Sequence, residues 1–137
     1  MEAKKNQGFS LVELIIVIAI MAILIGVLAP QYVKYVEKSR VSADEELADT
    51  LLTAGYLMAA DEDYAISISN GDKIILTHNG ISINETSGAV SAGMNEFAPE
   101  WKSKKSVSIT YEASQYVVEF KGGVGNKGFT VEGSWQP

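Results

Sequence analysis

The 137-residue chain has no cysteine and a single histidine, His78. The first absence excludes a disulfide framework, thiolate metal sites and a cysteine nucleophile; the second excludes multi-histidine metal centres. Basic side chains are scarce, 11 against 17 acidic, for a formal net charge of −6. Nucleic-acid modules usually present a basic face, so no nucleic-acid partner is expected. Charge is almost missing from one stretch. Between residues 9 and 29 the only polar side chains are Ser10 and Glu13, and residues 14–29 are unbroken apolar. About 108 residues follow that stretch, enough for one modest core and no second domain.

The apolar run begins at Phe9 and covers 21 residues. As a helix it would be about 30 Å long, the thickness of a bilayer's hydrocarbon. It therefore reads as a membrane-spanning helix or a secretory signal. Pro30 follows the only small-residue cleavage candidate, Val27-Leu28-Ala29, and Glu13 sits inside the apolar core; both argue against a secretory signal. Beyond Pro30 the pattern is helical again. Val36, Ala43, Leu47, Leu51, Ala54 and Met58 recur at helical spacings, with Glu37, Asp44, Glu45 and Asp49 on other faces. One long helix over residues 9–60 is predicted, broken near Gly26 and Pro30, with Gly55 its other weak point. At about 78 Å it is too long for a compact domain of this size, so its first half is expected to project.

After Asp61-Glu62-Asp63 the periodicity changes. Residues 65–69 and 73–77 flank Asn70-Gly71-Asp72, a hairpin signal, and residues 81–84 suggest a short strand. Residues 85–105 read as irregular, with one helical turn near 94–97. Alternation over 107–112, 116–121 and 129–135 predicts three antiparallel strands with one apolar face. The stripe over residues 47–58 is the only long apolar surface able to cover it. The predicted fold class is α+β: a long N-terminal helix whose second half packs on an antiparallel sheet.

The run Gly8-Phe9-Ser10-Leu11-Val12-Glu13 before the apolar stretch resembles the class III signal of type IV pilins and pseudopilins. The likeness continues through Pro30, Tyr32, Tyr35 and Lys38-Ser39-Arg40. It implies a leader over residues 1–8, a transmembrane and filament-core helix over 9–30 and a globular head over 31–137. A prepilin peptidase would cut between Gly8 and Phe9 on the cytoplasmic side, and the new Phe9 amine would be N-methylated. Glu13 would pair with the Phe9 amine of a neighbouring subunit and set the axial stagger. A carboxylate in hydrocarbon costs on the order of 3 kcal/mol, which such a cation offsets. Gly26 and Pro30 would permit the helix to break; many relatives carry glycine where this chain has Ala22. Lys4 and Lys5 agree with a cytoplasmic N-terminus, whereas Lys34, Lys38 and Arg40 oppose it.

The implied function is structural. The protein would be a subunit of a type IV pilus serving adhesion or motility, a helical homopolymer at the cell surface. Before assembly it would be a single-pass protein of the cytoplasmic membrane. Its partners would be copies of itself, membrane lipid, the prepilin peptidase and the pilus assembly platform. No enzyme activity, catalytic residue, cofactor or metal is implied. The lack of cysteine fits a Gram-positive-type pilin. Two alternatives remain open: a pseudopilin of a type II secretion or DNA-uptake system, and a membrane-anchored extracytoplasmic binding domain.

Other signals are weaker. Asp61, Glu62, Asp63 and Asp72 fit no calcium loop and read as a solvated turn. Lys102, Lys104 and Lys105 form a small basic patch, His78 reads as a turn residue beside Asn79-Gly80, and Trp101 and Trp135 as core or lateral-contact residues. Asn84-Glu85-Thr86 is a glycosylation sequon. Gly122-Gly123-Val124-Gly125 lacks the helix and lysine of a phosphate loop.

Overall fold

The computed structural model describes residues 8–122 and 130–137. The predictions involving Lys4, Lys5, Gly123, Val124, Gly125 and Phe129 lie outside the described residues. The chain divides into two compact units, Met1–Val36 and Glu37–Pro137. Helix α1 (Leu11–Ala60) runs through the boundary.

The first unit holds the apolar part of α1. An 18-residue window there has a mean hydropathy of 3.1 and no buried side chain, so by length and composition it is able to cross a membrane. The expected break is not a break in helical assignment: α1 continues through Gly26 and Pro30. Proline has no N–H to donate to the carbonyl four residues back, which belongs to Gly26. The turns on both sides carry the helix across that one missing bond.

The second unit is a helix-on-sheet head. Short helix α2 (Glu62–Ala65) starts at Asp61, whose carboxylate accepts the Asp63 N–H at 2.9 Å. Strands β1 (Lys73–Thr77), β2 (Gly80–Asn84), β3 (Gln115–Lys121) and β4 (Thr130–Gln136) form an antiparallel sheet in the order β2-β1-β3-β4. Helix α3 (Ala89–Phe97) and a 3-10 turn over Trp101–Ser103 lie between β2 and β3 in sequence. Ala48, Leu51, Ala54 and Met58 of α1 form one buried cluster with Ile74, Leu76, Val118, Phe120 and Val131 of the sheet. Gly55 lets the helix lie close to the sheet, since a Cβ there would fall 2.9 Å from Val131 Cγ1 and 3.1 Å from Val118 Cγ1. Trp101 and Trp135 are half-buried against the same cluster. The helix-on-sheet expectation therefore holds, with the buried face turned slightly from the predicted stripe: Asp44 and Ala48 are buried while Ala43 is exposed.

Three local expectations fail for physical reasons. Residues 65–69 form no strand; the first hairpin is β1–β2, turning at His78 and Asn79 with Thr77 paired to Gly80. Asn70 and Gly71 instead feed β1, with the Gly71 N–H donating to the Phe120 carbonyl at 2.8 Å. Residues 94–97 belong to a nine-residue helix, α3. Its first N–H groups find a remote acceptor, as the Glu85 carboxylate takes the Val90 N–H at 2.7 Å. Residues 107–112 form no strand either. There Val107 and Ile109 are exposed, whereas Ser106 and Ser108 are fully buried. The alternation is real, but its polar face points inward, toward carboxylates of α1.

Candidate functional site: two carboxylate stations on the long helix

The first station is the start of α1. Gly8, Phe9 and Ser10 precede the helix, and Phe9 is 88% exposed. Space around Gly8 is open: a Cβ added there would meet no atom within 4 Å. Ser10 is the N-terminal cap. Its hydroxyl accepts the Glu13 N–H at 3.2 Å, and the Glu13 carboxylate accepts the Ser10 N–H at 3.1 Å. This reciprocal capping box satisfies two of the donors that a helix start leaves unpaired. The Ser-x-x-Glu spacing of Ser10 and Glu13 is the sequence signal for it; weighing Glu13 only as a charge misses it. Glu13 thus lies in the first turn, where the helix dipole favours an anion, four positions from Phe9 and at the edge of a wholly apolar run.

The second station lies in the head and is not evident from helical periodicity. Asp44 is buried and takes part in no ion pair among the described residues. Its carboxylate accepts the Ser106 hydroxyl at 2.8 Å, the Val107 N–H at 2.9 Å, the Ser108 N–H at 3.0 Å and the Ser108 hydroxyl at 2.7 Å. Burial pushes the Asp44 carboxyl up. The bonds from Ser108, Val107 and Ser106 outweigh it and hold the group below the ordinary aspartate value. Two helical turns earlier, Glu37 takes the next N–H groups, Ile109 and Thr110, both at 3.1 Å. The Ile109 bond leads in holding the Glu37 carboxyl low, helped by Thr110 and the nearby Arg40 charge. Residues 106–110 are therefore pinned by two helix carboxylates in place of a neighbouring strand. The Tyr111 hydroxyl adds a bond to Glu45 at 3.2 Å, and its ring stacks on Trp135 at 3.8 Å.

Of the remaining candidates, His78 sits in the β1–β2 turn as expected. Among the described residues no group of three or more histidine, aspartate or glutamate side chains is arranged to hold a metal.

The family model for the prokaryotic N-terminal methylation motif matches residues 3–29. The chain is 38% identical over 80 residues to prepilin peptidase-dependent protein A of Clostridium perfringens, covering 52% of this chain and 57% of the relative. It is 45% identical over 49 residues to a fimbrial protein of Moraxella nonliquefaciens, covering 36% of this chain and 32% of the relative. The chain thus spans about half the length of one curated relative and a third of the other. No solved structure matches it. With the methylation motif at its N-terminus, an exposed apolar helix behind it and a helix-on-sheet head, the chain is similar to the type IV pilin family and is type IV pilin-like.

Proposed function

We propose that the protein is a structural subunit of a type IV pilus, made as a precursor in the cytoplasmic membrane with its N-terminus inside. A prepilin peptidase removes residues 1–8 by cutting between Gly8 and Phe9, and the Phe9 amine is N-methylated. Residues 9–30 anchor the subunit in lipid and then pack in the filament core, while the head faces the outside. Glu13 receives the Phe9 amine of a neighbouring subunit, and Gly26 and Pro30 are the points where the core helix yields. The filament serves adhesion or motility, and the protein performs no catalysis.

The observation that carries this reading is the order of features at the N-terminus. An exposed, non-helical Gly8-Phe9 junction stands before the apolar helix, with Glu13 in the first turn. A signal meant for full removal would place its cut after the apolar run. Once the leader is gone, the carboxylate that costs on the order of 3 kcal/mol in hydrocarbon gains a cation of matching depth. The relative named as prepilin peptidase-dependent supports the processing step. Mass spectrometry of material sheared from cells tests it: the expected N-terminus is methylated Phe9, and a mature N-terminus at Pro30 or later would overturn it.

A further inference from the structure

We propose that Asn79, in the β1–β2 turn, is a self-modification site that passes through a succinimide to isoaspartate, and that the fold protects Asn70 from the same fate. Asn70-Gly71 and Asn79-Gly80 are the two Asn-Gly pairs of the chain. The reaction needs an asparagine side chain able to swing and a following main-chain nitrogen that no side chain shields. Glycine shields it least, having no Cβ. That nitrogen attacks the asparagine Cγ. The bond from nitrogen to Cγ forms, the bond from Cγ to Nδ2 breaks, and ammonia leaves with the proton that the attacking nitrogen gives up. Water then opens the five-membered ring and returns a proton to the nitrogen. Attack at the side-chain carbonyl yields aspartate. Attack at the main-chain carbonyl yields isoaspartate, whose backbone runs through Cβ and Cγ.

Both pairs meet the sequence requirement, and the structure separates them. Asn79 is exposed, and its bond to the Thr77 hydroxyl, at 3.2 Å, comes from its main-chain N–H. No hydrogen bond holds its side-chain amide among the described residues. Beyond the chain neighbours, the nearest atom to a Cβ built on Gly80 is the Lys104 carbonyl oxygen at 4.0 Å. Gly80 pairs with Thr77 at the end of the ladder, beside an exposed turn, and exposed backbone bonds of this kind open locally at small cost. Asn70 is exposed too, but it is held at both reacting groups. Its side-chain oxygen accepts the Gly122 N–H at 3.2 Å, and Gly71 donates its own N–H to the Phe120 carbonyl at 2.8 Å. Both bonds must open before the ring can close, which slows Asn70 about tenfold or more relative to Asn79.

The product acts beyond the turn. Isoaspartate lengthens the main chain of a two-residue turn by one methylene and adds a negative charge. Thr77 ties that turn to the rest of the head. Its hydroxyl accepts the Asn79 N–H and donates to the Gly80 carbonyl at 3.1 Å, and its carbonyl accepts the Ser106 N–H at 3.0 Å. Lengthening the turn therefore disturbs the residue that anchors the start of segment 106–110.

Ageing the full chain in detergent tests this, in warm, mildly alkaline buffer made with water enriched in heavy oxygen. Peptide mapping by mass spectrometry should find Asn79 converted to a mixture in which isoaspartate predominates, each product carrying one heavy oxygen. Asn70 should convert about tenfold more slowly or less. Asn84, exposed but followed by Glu85, should stay intact. In denaturant the two Asn-Gly pairs should convert alike, because only the fold tells them apart. Amide hydrogen exchange at Ser106 should quicken in the aged protein and not in aged Asn79→Gln, whose longer side chain would have to close a larger ring. An unmodified Asn79, acid without heavy oxygen, equal rates at Asn70 and Asn79 in the folded chain, or a difference that persists in denaturant would overturn the site. Unchanged exchange at Ser106 would overturn its link to segment 106–110.

Discussion

Along α1 the two units of this protein use a carboxylate in opposite ways. In the first unit Glu13 has one bond, from the Ser10 N–H, and everything else around it is exposed apolar helix. In the second unit Asp44 is buried and accepts four bonds from three residues more than sixty positions away in sequence. A carboxylate with four donors is finished: its charge is already solvated by its own chain, and it holds a loop in place. A carboxylate with one donor in apolar surroundings is unfinished, and in the proposed filament its remaining demand is met by a neighbouring subunit. The contrast separates a side chain that builds the fold from one that, in the proposed filament, builds an assembly. The sharpest way to break it is to remove each in turn.

Glu13→Ala carries the largest expected effect. Loss of one member of a buried ion pair typically costs about 3–5 kcal/mol. Repeated at every subunit junction, that lowers filament yield by orders of magnitude. Membrane insertion becomes easier by on the order of 3 kcal/mol, leader cleavage persists, and the head is unaffected. Fractionation of mutant cells into membrane and sheared surface material checks this. Normal piliation by cleaved Glu13→Ala subunits would leave Glu13 without an assembly role.

Asp44→Ala should do the opposite: unfold the head and leave the apolar helix untouched. Two backbone N–H groups and two hydroxyls lose their acceptor, and stranded donors cost about 1–3 kcal/mol each, so a loss on the order of 4 kcal/mol is expected. Urea denaturation of a soluble fragment starting at Val36 measures it. Leu51→Ala in the same fragment removes a large side chain from the buried cluster, at about 2–5 kcal/mol. A loss under about 1 kcal/mol at Leu51 would mean that this face of the helix is not against the sheet.

The same station predicts an acid transition. Folding lowers the Asp44 carboxyl from 3.8 and the Glu37 carboxyl from 4.5. Groups with depressed values stabilise the fold above the unfolded value, and that stability is lost as pH falls through the folded value. Head stability should therefore be flat above about pH 5 and fall as pH drops below 4.5. Arg40, Glu45 and Tyr111 face the same station and move the midpoint. Because Tyr111 and Trp135 stack within the segment's reach, tryptophan fluorescence against pH follows its release. An unchanged acid profile in Asp44→Ala would show that the loop is held by something else.

What the sequence reveals tracks how local each signal is. The apolar run, the spacing of Leu47, Leu51, Ala54 and Met58, and the alternation of Tyr116, Val118 and Phe120 are all short-range, and each corresponds to an observed element. The Ser10–Glu13 box is equally local. Residues 106–110 are different. Their alternation imitates a strand, but their bonding partners are Asp44 and Glu37, so only the tertiary structure reveals which face turns in. The hairpin at Asn70-Gly71 fails similarly: its turn chemistry is sound, yet Asp61 begins a helix ahead of it and Gly71 is bonded across to Phe120. Glu85 capping α3 is a third remote carboxylate. Negative charge in this chain is largely structural wiring, which charge counting reads as solvated surface.

Glycine offers the smallest test of the same contrast, because α1 carries Gly26 in one unit and Gly55 in the other. By helix propensity alone, alanine at either position gains up to about 1 kcal/mol. At Gly26 nothing lies within 4 Å of the added Cβ, so the propensity gain stands and the head is indifferent. At Gly55 the Cβ would fall 2.9 Å from Val131 Cγ1 and 3.1 Å from Val118 Cγ1, both on buried, β-branched side chains of the sheet. Those methyl groups turn only by leaving their preferred rotamers, and overpacking of this kind costs about 1–3 kcal/mol. Gly55→Ala should then lower head stability by on the order of 1 kcal/mol net, against the sign that propensity predicts. Both tryptophans, Trp101 and Trp135, lie in the head, so denaturation of the full chain in detergent, followed by their fluorescence, reports head unfolding for both variants. A rise in midpoint for Gly55→Ala would place that face of the helix away from β3 and β4.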